Sequence, residues 1–434
     1  MMQTLDLRGR RPSAAELLAL VPRGTATTAS VGPAVAELIA QVRANGSAAL
    51  LEQSERFDGA RPASVRVSAE AIAAAVAGLD PVIRAALDET IARVRQGSAA
   101  QIPPERITVI DDGATIVQRW RPVLRAGLYV PGGKAVYPSS VVMSVVPAQA
   151  AGVGSVAIAT PAQRAFGGEA HPTILAAAGL LGVEEIYVMG GAGAIGALAY
   201  GVDDIGLEPV QMITGPGNIF VTTAKRQVLG QVGIDSEAGP TEILVIADAS
   251  ADARLVAADL ISQAEHDENA SAVLVTDSAE LAAAVASEVE ARAATTTHRE
   301  RVAISLGGPQ SALVVVDDLD IAVAFSDAYG PEHLEIHTRD ADELAGRVNN
   351  AGAIFVGDSA PVSLGDYLAG SNHVLPTLGQ SRFSSGLGAY TFLRPQQVVR
   401  YDRDALARVA GHIRALSDEE ALPAHGDAVD ARFV

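Results

Sequence analysis

Apolar residues recur at three- and four-residue spacing over 31–42, 69–77 and 81–95, which predicts amphipathic helices in a mainly helical first hundred residues. Asn45-Gly46 and Asp58-Gly59 supply turns between them. Over 107–120 the pattern changes to that of strands, and Asp111-Asp112-Gly113 breaks two apolar runs, so a hairpin is predicted. Strands at 127–130, 156–159, 185–189 and 211–213 then alternate with helices at 139–151, 172–181, 192–200 and from Pro216. A second series follows, with strands at 242–247, 272–276, 312–316 and 334–337. Its helices run up to His266, from Ala279 and over 322–328. From about Pro376 the alternation stops, leaving a tail with one helix at 402–416.

Alternation of this kind builds α/β domains around mainly parallel sheets. We read two Rossmann-like α/β domains, a helical N-terminal region and an extended C-terminal tail that interleaves in a dimer. The boundaries are a segment over 1–28, a discontinuous domain of 29–125 with 241–375, a second domain over 126–240, and a tail over 376–434.

Composition narrows the chemistry. With aromatics at only 4%, the core must be built from Ala, Val, Leu and Ile. A formal charge of −19 opposes a nucleic-acid partner, because phosphate binding needs the opposite field. The absence of cysteine excludes disulfides, thiolate metal ligands and a thiol nucleophile. Residues 1–13 carry no apolar core of a secretory signal. The longest apolar stretch, 141–160, is broken by Ser144, Pro147, Gln149, Gly152, Gly154 and Ser155, so it reads as buried helix, turn and strand, not a membrane span. A soluble, cytoplasmic protein is expected.

The reactive side chains fall in tight clusters. Gln263 and His266 are three apart at a helix end, roughly 5–6 Å between Cβ atoms, and could aim an oxygen and a nitrogen at one metal or simply face solvent. Gly191-Ala192-Gly193-Ala194-Ile195-Gly196 matches a dinucleotide-binding glycine pattern, but the acidic residue due about twenty positions later is missing. Gly215-Pro216-Gly217-Asn218 opens a helix, and Pro131-Gly132-Gly133 follows Tyr129 at a strand end, where α/β sheets bind ligands. Pro331-Glu332-His333 offers an acid/base pair, provided a turn brings both side chains to one site. Gly365-Asp366-Tyr367 and Gly370-Ser371-Asn372-His373 form a polar loop in apolar surroundings. Glu420 and His425 lie in the tail, and His171, His298, His337 and His412 read as structural or surface residues.

Taken in order from about Leu5 to the C-terminus, these clusters resemble the histidinol dehydrogenase family. The most specific stretches are Gly127-Leu128-Tyr129-Val130-Pro131-Gly132-Gly133, Thr214-Gly215-Pro216-Gly217-Asn218, Ala238-Gly239-Pro240-Thr241-Glu242, Ser262 to His266, Tyr329-Gly330-Pro331-Glu332-His333-Leu334, and Gly365 to Thr377. The resemblance implies zinc ligands at Gln263, His266, Asp366 and His425, one Zn2+ per subunit. It implies acid/base residues at Glu332 and His333, and substrate contacts at Thr241, His333, His373 and Glu420 besides the zinc ligands. NAD+ contacts fall on Tyr129, Gly193 and Asn218. The family's homodimer, with interleaved tails, would carry Glu420 and His425 into the partner's site. Two positions depart from the pattern. The family usually has Gln where Gly193 stands, which removes a cofactor contact and explains the glycine match; position 241 is often Ser, and Thr241 keeps the hydroxyl.

The activity so implied is oxidation of L-histidinol to L-histidine with two NAD+, through L-histidinaldehyde. Without a cysteine, water must serve as nucleophile in the aldehyde step. His333 is then the base of the first step, and Glu332, assisted by His333, activates the water of the second. Three other readings compete: a paralogue acting on another polar alcohol, a zinc hydrolase, and a non-catalytic metal-binding scaffold. Retention of His373, Glu420 and His425 counts against the first, and Tyr129 and Asn218 would have no purpose in the second.

Overall fold

The computed structural model describes residues 2–23, 28–132 and 136–433, so Gly133 of the Pro131-Gly132-Gly133 turn lies outside the described residues. Two parallel sheets dominate. The larger has six strands in the order Gln3–Asp6, Ala312–Val315, Ser271–Thr276, Glu242–Ala247, His333–His337, Ala353–Val356. The smaller has five, ordered Ile186–Val188, Ser155–Thr160, Arg125–Tyr129, Met212–Thr214, Gly233–Ile234. Every neighbouring pair in both sheets is parallel. Parallel strands are covered on both faces, which is why Glu242–Ala247 and Ser271–Thr276 are buried from end to end and read as apolar runs.

Chain order reverses between Arg125–Tyr129 and Met212–Thr214 in the smaller sheet, and between Glu242–Ala247 and His333–His337 in the larger. Such switch points leave a crevice outside the carboxyl ends of the strands. In the smaller sheet that crevice is bordered by Pro131, Gly132 and the Gly215–Asn218 loop.

Residues 28–100 form the three expected helices, Thr28–Asn45, Ala69–Ala77 and Pro81–Ala100, and a further one, Ser47–Gln53. Their apolar stripes pack as follows. Val35, Leu38 and Ile39 pack with Tyr129, Tyr187 and Ile195, and Leu87, Ile91 and Val94 pack with Val141 and Val145. These helices therefore cover the five-stranded sheet, and Pro81–Ala100 also packs against Val374 and Gly370. Their apolar stripes say that they are buried but not against which sheet.

Two further elements depart from the sequence reading. Gln3–Asp6 is an edge strand paired with Ala312–Val315, too short to show a period. The hairpin Arg106–Asp111 and Ala114–Pro122 forms as expected, and Leu393–Tyr401 joins it as a third antiparallel strand. That strand carries Pro395, two arginines and two glutamines, and its exposed faces hide the alternation. The tail ends in two helices, Arg403–Glu419 and Pro423–Asp430.

The Gly215–Asn218 loop is fixed by a buried ion pair. Gly215 adopts φ +119°, and a Cβ there would stand 2.0 Å from the Tyr129 carbonyl oxygen, so only glycine fits. Its N–H donates to Asp235 Oδ2 at 2.8 Å, and Lys225 Nζ donates to its carbonyl at 3.1 Å. Lys225 and Asp235 pair directly, with side chains 1% and 4% exposed. Removing one member of a buried pair strands the other charge at a cost of about 3–5 kcal/mol. Asp235→Ala is therefore expected to lower the unfolding free energy by that amount in a urea titration; a loss below about 1 kcal/mol would show that the pair does not hold the loop.

Candidate active site

A cleft of about 1350 Å3 runs between the carboxyl ends of the smaller sheet and the amino ends of strands Glu242–Ala247 and His333–His337. Register delivers its central pair. His333 lies opposite Ile243, so Glu332 stands beside Glu242. Glu332 precedes the strand and is free of its alternation. Its Oε2 accepts the Glu242 N–H at 2.9 Å and the Thr241 hydroxyl at 2.6 Å. His333 follows, with Nδ1 3.0 Å from the Glu242 carbonyl and 3.6 Å from Glu332 Oε2. A carbonyl only accepts, so Nδ1 carries the proton and the lone pair of a neutral ring sits on Nε2. Glu332 and His333 thus share one site through a bend at Glu332.

Helix Ala253–Ala264 brings the next group. Asp252 caps it by accepting the Arg254 N–H, and Val256, Ala257, Leu260, Ile261 and Ala264 bury its inner face. Gln263, 3% exposed, donates Nε2 to Thr241 Oγ1 at 2.6 Å, which leaves its carbonyl oxygen as the remaining donor atom. The turn continues past the helix end, with the His266 N–H donating to the backbone carbonyl of Gln263 at 3.3 Å. His266 lines the cleft with Asp366, which is carried by the helix Val362–Tyr367. His373 also lines it, donating Nδ1 to the Asp366 carbonyl at 3.0 Å and facing the Ser140 hydroxyl at 3.1 Å.

Burial sets the charges. It pushes the Glu332 carboxyl up to about 7, against the opposing pull of His333 and the Thr241 hydrogen bond. It pushes the His266 and His373 imidazoles down, with Asp366 opposing in both cases. Neutral imidazoles and a carboxyl that ionises near neutrality suit metal ligation and general-base work.

Tyr129 and Asn218 border the other end of the cleft. The Tyr129 hydroxyl accepts the Gly191 N–H at 3.2 Å, and burial pushes its ionisation up to about 12. Asn218 caps helix Ile219–Val228 by accepting the Phe220 and Val221 N–H groups. Gly193 does not line the cleft with them. It is buried in helix Gly191–Tyr200, and a Cβ there would stand 2.2 Å from Gln53 Oε1. Glu420 and His425 also lie apart, both exposed, at the end of helix Arg403–Glu419 and in helix Pro423–Asp430.

Sequence reasoning missed the groups that brace the pair. Glu242 is buried, and its Oε1 takes Arg23 Nε at 2.6 Å and the Leu378 N–H at 3.0 Å. Arg23 also stacks 3.8 Å over the Tyr329 ring. Ser140 beside His373 was missed likewise. The motif Ala238 to Glu242 contained the only signal, an acidic residue opening an apolar strand.

Comparison with known proteins gives a consistent picture. The family model described as histidinol dehydrogenase matches residues 21–433. The chain is 66% identical over 432 residues to a histidinol dehydrogenase from Leifsonia xyli, covering 100% of this chain and 99% of that one. It is 58% identical to one from Nocardia farcinica, covering 99% and 97%. The crystal structure of histidinol dehydrogenase from Elizabethkingia anophelis matches with a TM-score of 0.93 at 31% identity, covering 100% of this chain and 98% of that one.

The Thr241 hydrogen bond stabilises the charged form of Glu332, so its removal must raise the pH of ionisation. A hydrogen bond to a charged group contributes about 1.5 kcal/mol, or roughly one unit. In protein carrying carboxyl-labelled 13C-glutamate, with Glu332→Gln to assign the signal, Thr241→Val is expected to move the Glu332 titration upward by roughly that much. A downward or absent shift would remove Thr241 from this role.

Proposed function

The chain belongs to the histidinol dehydrogenase family of oxidoreductases, and from that premise we propose that it oxidises L-histidinol to L-histidine through L-histidinaldehyde, with zinc and two equivalents of NAD+. The observation that carries this reading is the convergence of Glu332, His333, His266, Asp366 and His373 on the cleft that Tyr129 and Asn218 also border.

The donor set fits zinc. Gln263 has its carbonyl oxygen to give, His266 is held toward its neutral form by burial, and Asp366 supplies a carboxylate. His425 from a second copy of the chain would complete the four, with Glu420 beside it for the substrate. Exposed apolar residues on the hairpin (Ile107, Val109) and tail (Val399, Leu416) support such an arrangement. Bound in this cleft, zinc would anchor the imidazole and amine nitrogens of the substrate, and NAD+ would accept hydride. Gly193 offers no side chain for the cofactor and faces Gln53, so Tyr129 and Asn218 carry that contact.

His333 takes the alcohol proton on Nε2 in the first step, because its Nδ1–H is committed to the Glu242 carbonyl. Glu332 then removes a proton from water as its oxygen bonds to the aldehyde carbon, giving the anion of the tetrahedral hydrate, from which the second hydride leaves to NAD+. The Thr241 hydroxyl and Glu242 amide hold the carboxylate in place through both steps. No described helix is long and apolar enough to cross a membrane, and a small polar substrate with NAD+ suits a cytoplasmic enzyme.

The test is the NADH formed per L-histidinol consumed by purified protein, with and without a chelator. Two NADH per substrate, lost on chelation and restored by zinc, is the expected result; no NADH from folded, zinc-replete protein would sink the reading. Glu332→Gln is expected to slow the aldehyde step by about 100-fold or more while the alcohol step falls far less. Equal losses in both would remove Glu332 from water activation.

A further inference from the structure

His337 reads from sequence as a structural or surface residue, yet it closes a second cluster of ligating side chains. Alternation along strand His333–His337 puts His333, Glu335 and His337 on one face, beneath helix Ala253–Ala264. His333, at the amino end, belongs to the cleft. Glu335 and His337 lie toward the carboxyl end, at the larger sheet's switch point, where open α/β sheets take ligands. Asp259, one helical turn before Gln263, faces them.

One ligand atom from each of Asp259, Glu335 and His337 lies within 4.8 Å of the others. Glu335 is fully buried; its Oε1 accepts the Val362 N–H at 2.8 Å, while its Oε2 has no hydrogen-bond partner of good geometry among the described residues. That oxygen faces His337 Nε2 at 3.4 Å. The other ring nitrogen, Nδ1, lies 3.1 Å from Asp358 Oδ1. A carboxylate behind a ligating imidazole fixes the tautomer and raises the basicity of the far nitrogen. Two ligands of a tetrahedral zinc, each about 2.1 Å from the ion, stand roughly 3.4 Å apart. A dication would also neutralise the carboxylates of Asp259 and Glu335 together. Asp259 is partly exposed, which gives an ion a way in and leaves room for water as a further ligand.

We propose that Asp259, Glu335 and His337 bind a divalent transition-metal ion of zinc's size, with Asp358 orienting His337, at a site separate from the cleft. The ion would clamp helix Ala253–Ala264 to strand His333–His337, which bear Gln263 and His333 respectively. The proposal does not depend on the catalytic reading. Chelator-stripped protein, dialysed against zinc sulfate and desalted, is analysed for zinc per chain by mass spectrometry. The wild type is compared with His266→Ala and with the double variant Asp259→Asn, His337→Gln. The double variant is expected to hold one zinc fewer than the wild type, and His266→Ala to keep one. Asp358→Asn should weaken the remaining site about 10–100-fold without changing its stoichiometry. Should the double variant not fold, Asp259→Asn alone, in the His266→Ala background, is read by loss of the zinc-induced rise in melting temperature. A double variant with the wild-type zinc content, or His266→Ala with none, overturns the proposal. Wild-type zinc content in His266→Ala, with a loss in the double variant, would instead count against zinc in the cleft.

Discussion

The parallel register between Glu242–Ala247 and His333–His337 is the constraint on which the cleft depends. It sets His333 against Ile243 and so brings the Glu332 carboxylate to the Glu242 amide and the Thr241 hydroxyl. A slip of one residue would turn His333, Glu335 and His337 into the packed layer of Leu244, Ile246 and Phe325, and Leu334 and Ile336 toward helix Ala253–Ala264. Three buried polar side chains in an apolar layer would cost more than the strand could recover. The polar stripe therefore enforces the register that the site needs.

Electrostatics reinforce the same geometry. Glu242 is buried, and burial alone would drive its carboxyl toward the neutral form; Arg23 and the Leu378 N–H oppose that. Through Arg23 the residues ahead of helix Thr28–Asn45 grip the strand at whose backbone Glu332 and His333 are bonded. Through Leu378 the segment after the larger sheet does the same. A carboxyl pinned from two sides holds the backbone of Thr241 and Glu242, and that backbone holds Glu332 and His333.

Much of this was legible in the sequence because parallel strands announce themselves as short apolar runs and helices as three-and-four stripes. The adjacency of Glu332 and His333 and the spacing of Gln263 and His266 were equally plain. What local pattern cannot carry is direction and partnership at long range. The stripes of Thr28–Asn45 and Pro81–Ala100 mark burial without naming the sheet they cover. Gln3–Asp6 is too short for a period. Arg23 meets Glu242 across 219 positions, and nothing near Arg23 marks it. His337 looked incidental because Asp259, Glu335 and Asp358 are distributed over three elements. Gly193 shows the same limit: its neighbours suggest a ligand loop, while its open side faces Gln53.

The tail is ordered although it stands apart from its own chain's cleft. Glu420 and His425 do not approach Gln263, His266 or Asp366, yet they are not on a loose terminus. Helix Arg403–Glu419 is tied to the hairpin by Arg408 on Asp111, and Arg414 binds Asp427 at 2.8 Å and also Asp430. These surface pairs contribute little singly, but one arginine on two carboxylates fixes the angle between the two helices. His425 is thereby presented on a rigid helix pair whose ordering cost is met within its own chain. Preorganisation of this kind would let the proposed second copy gain a ligand without ordering a flexible segment on contact. That supports the proposed reading of the tail as a donor to another chain's cleft.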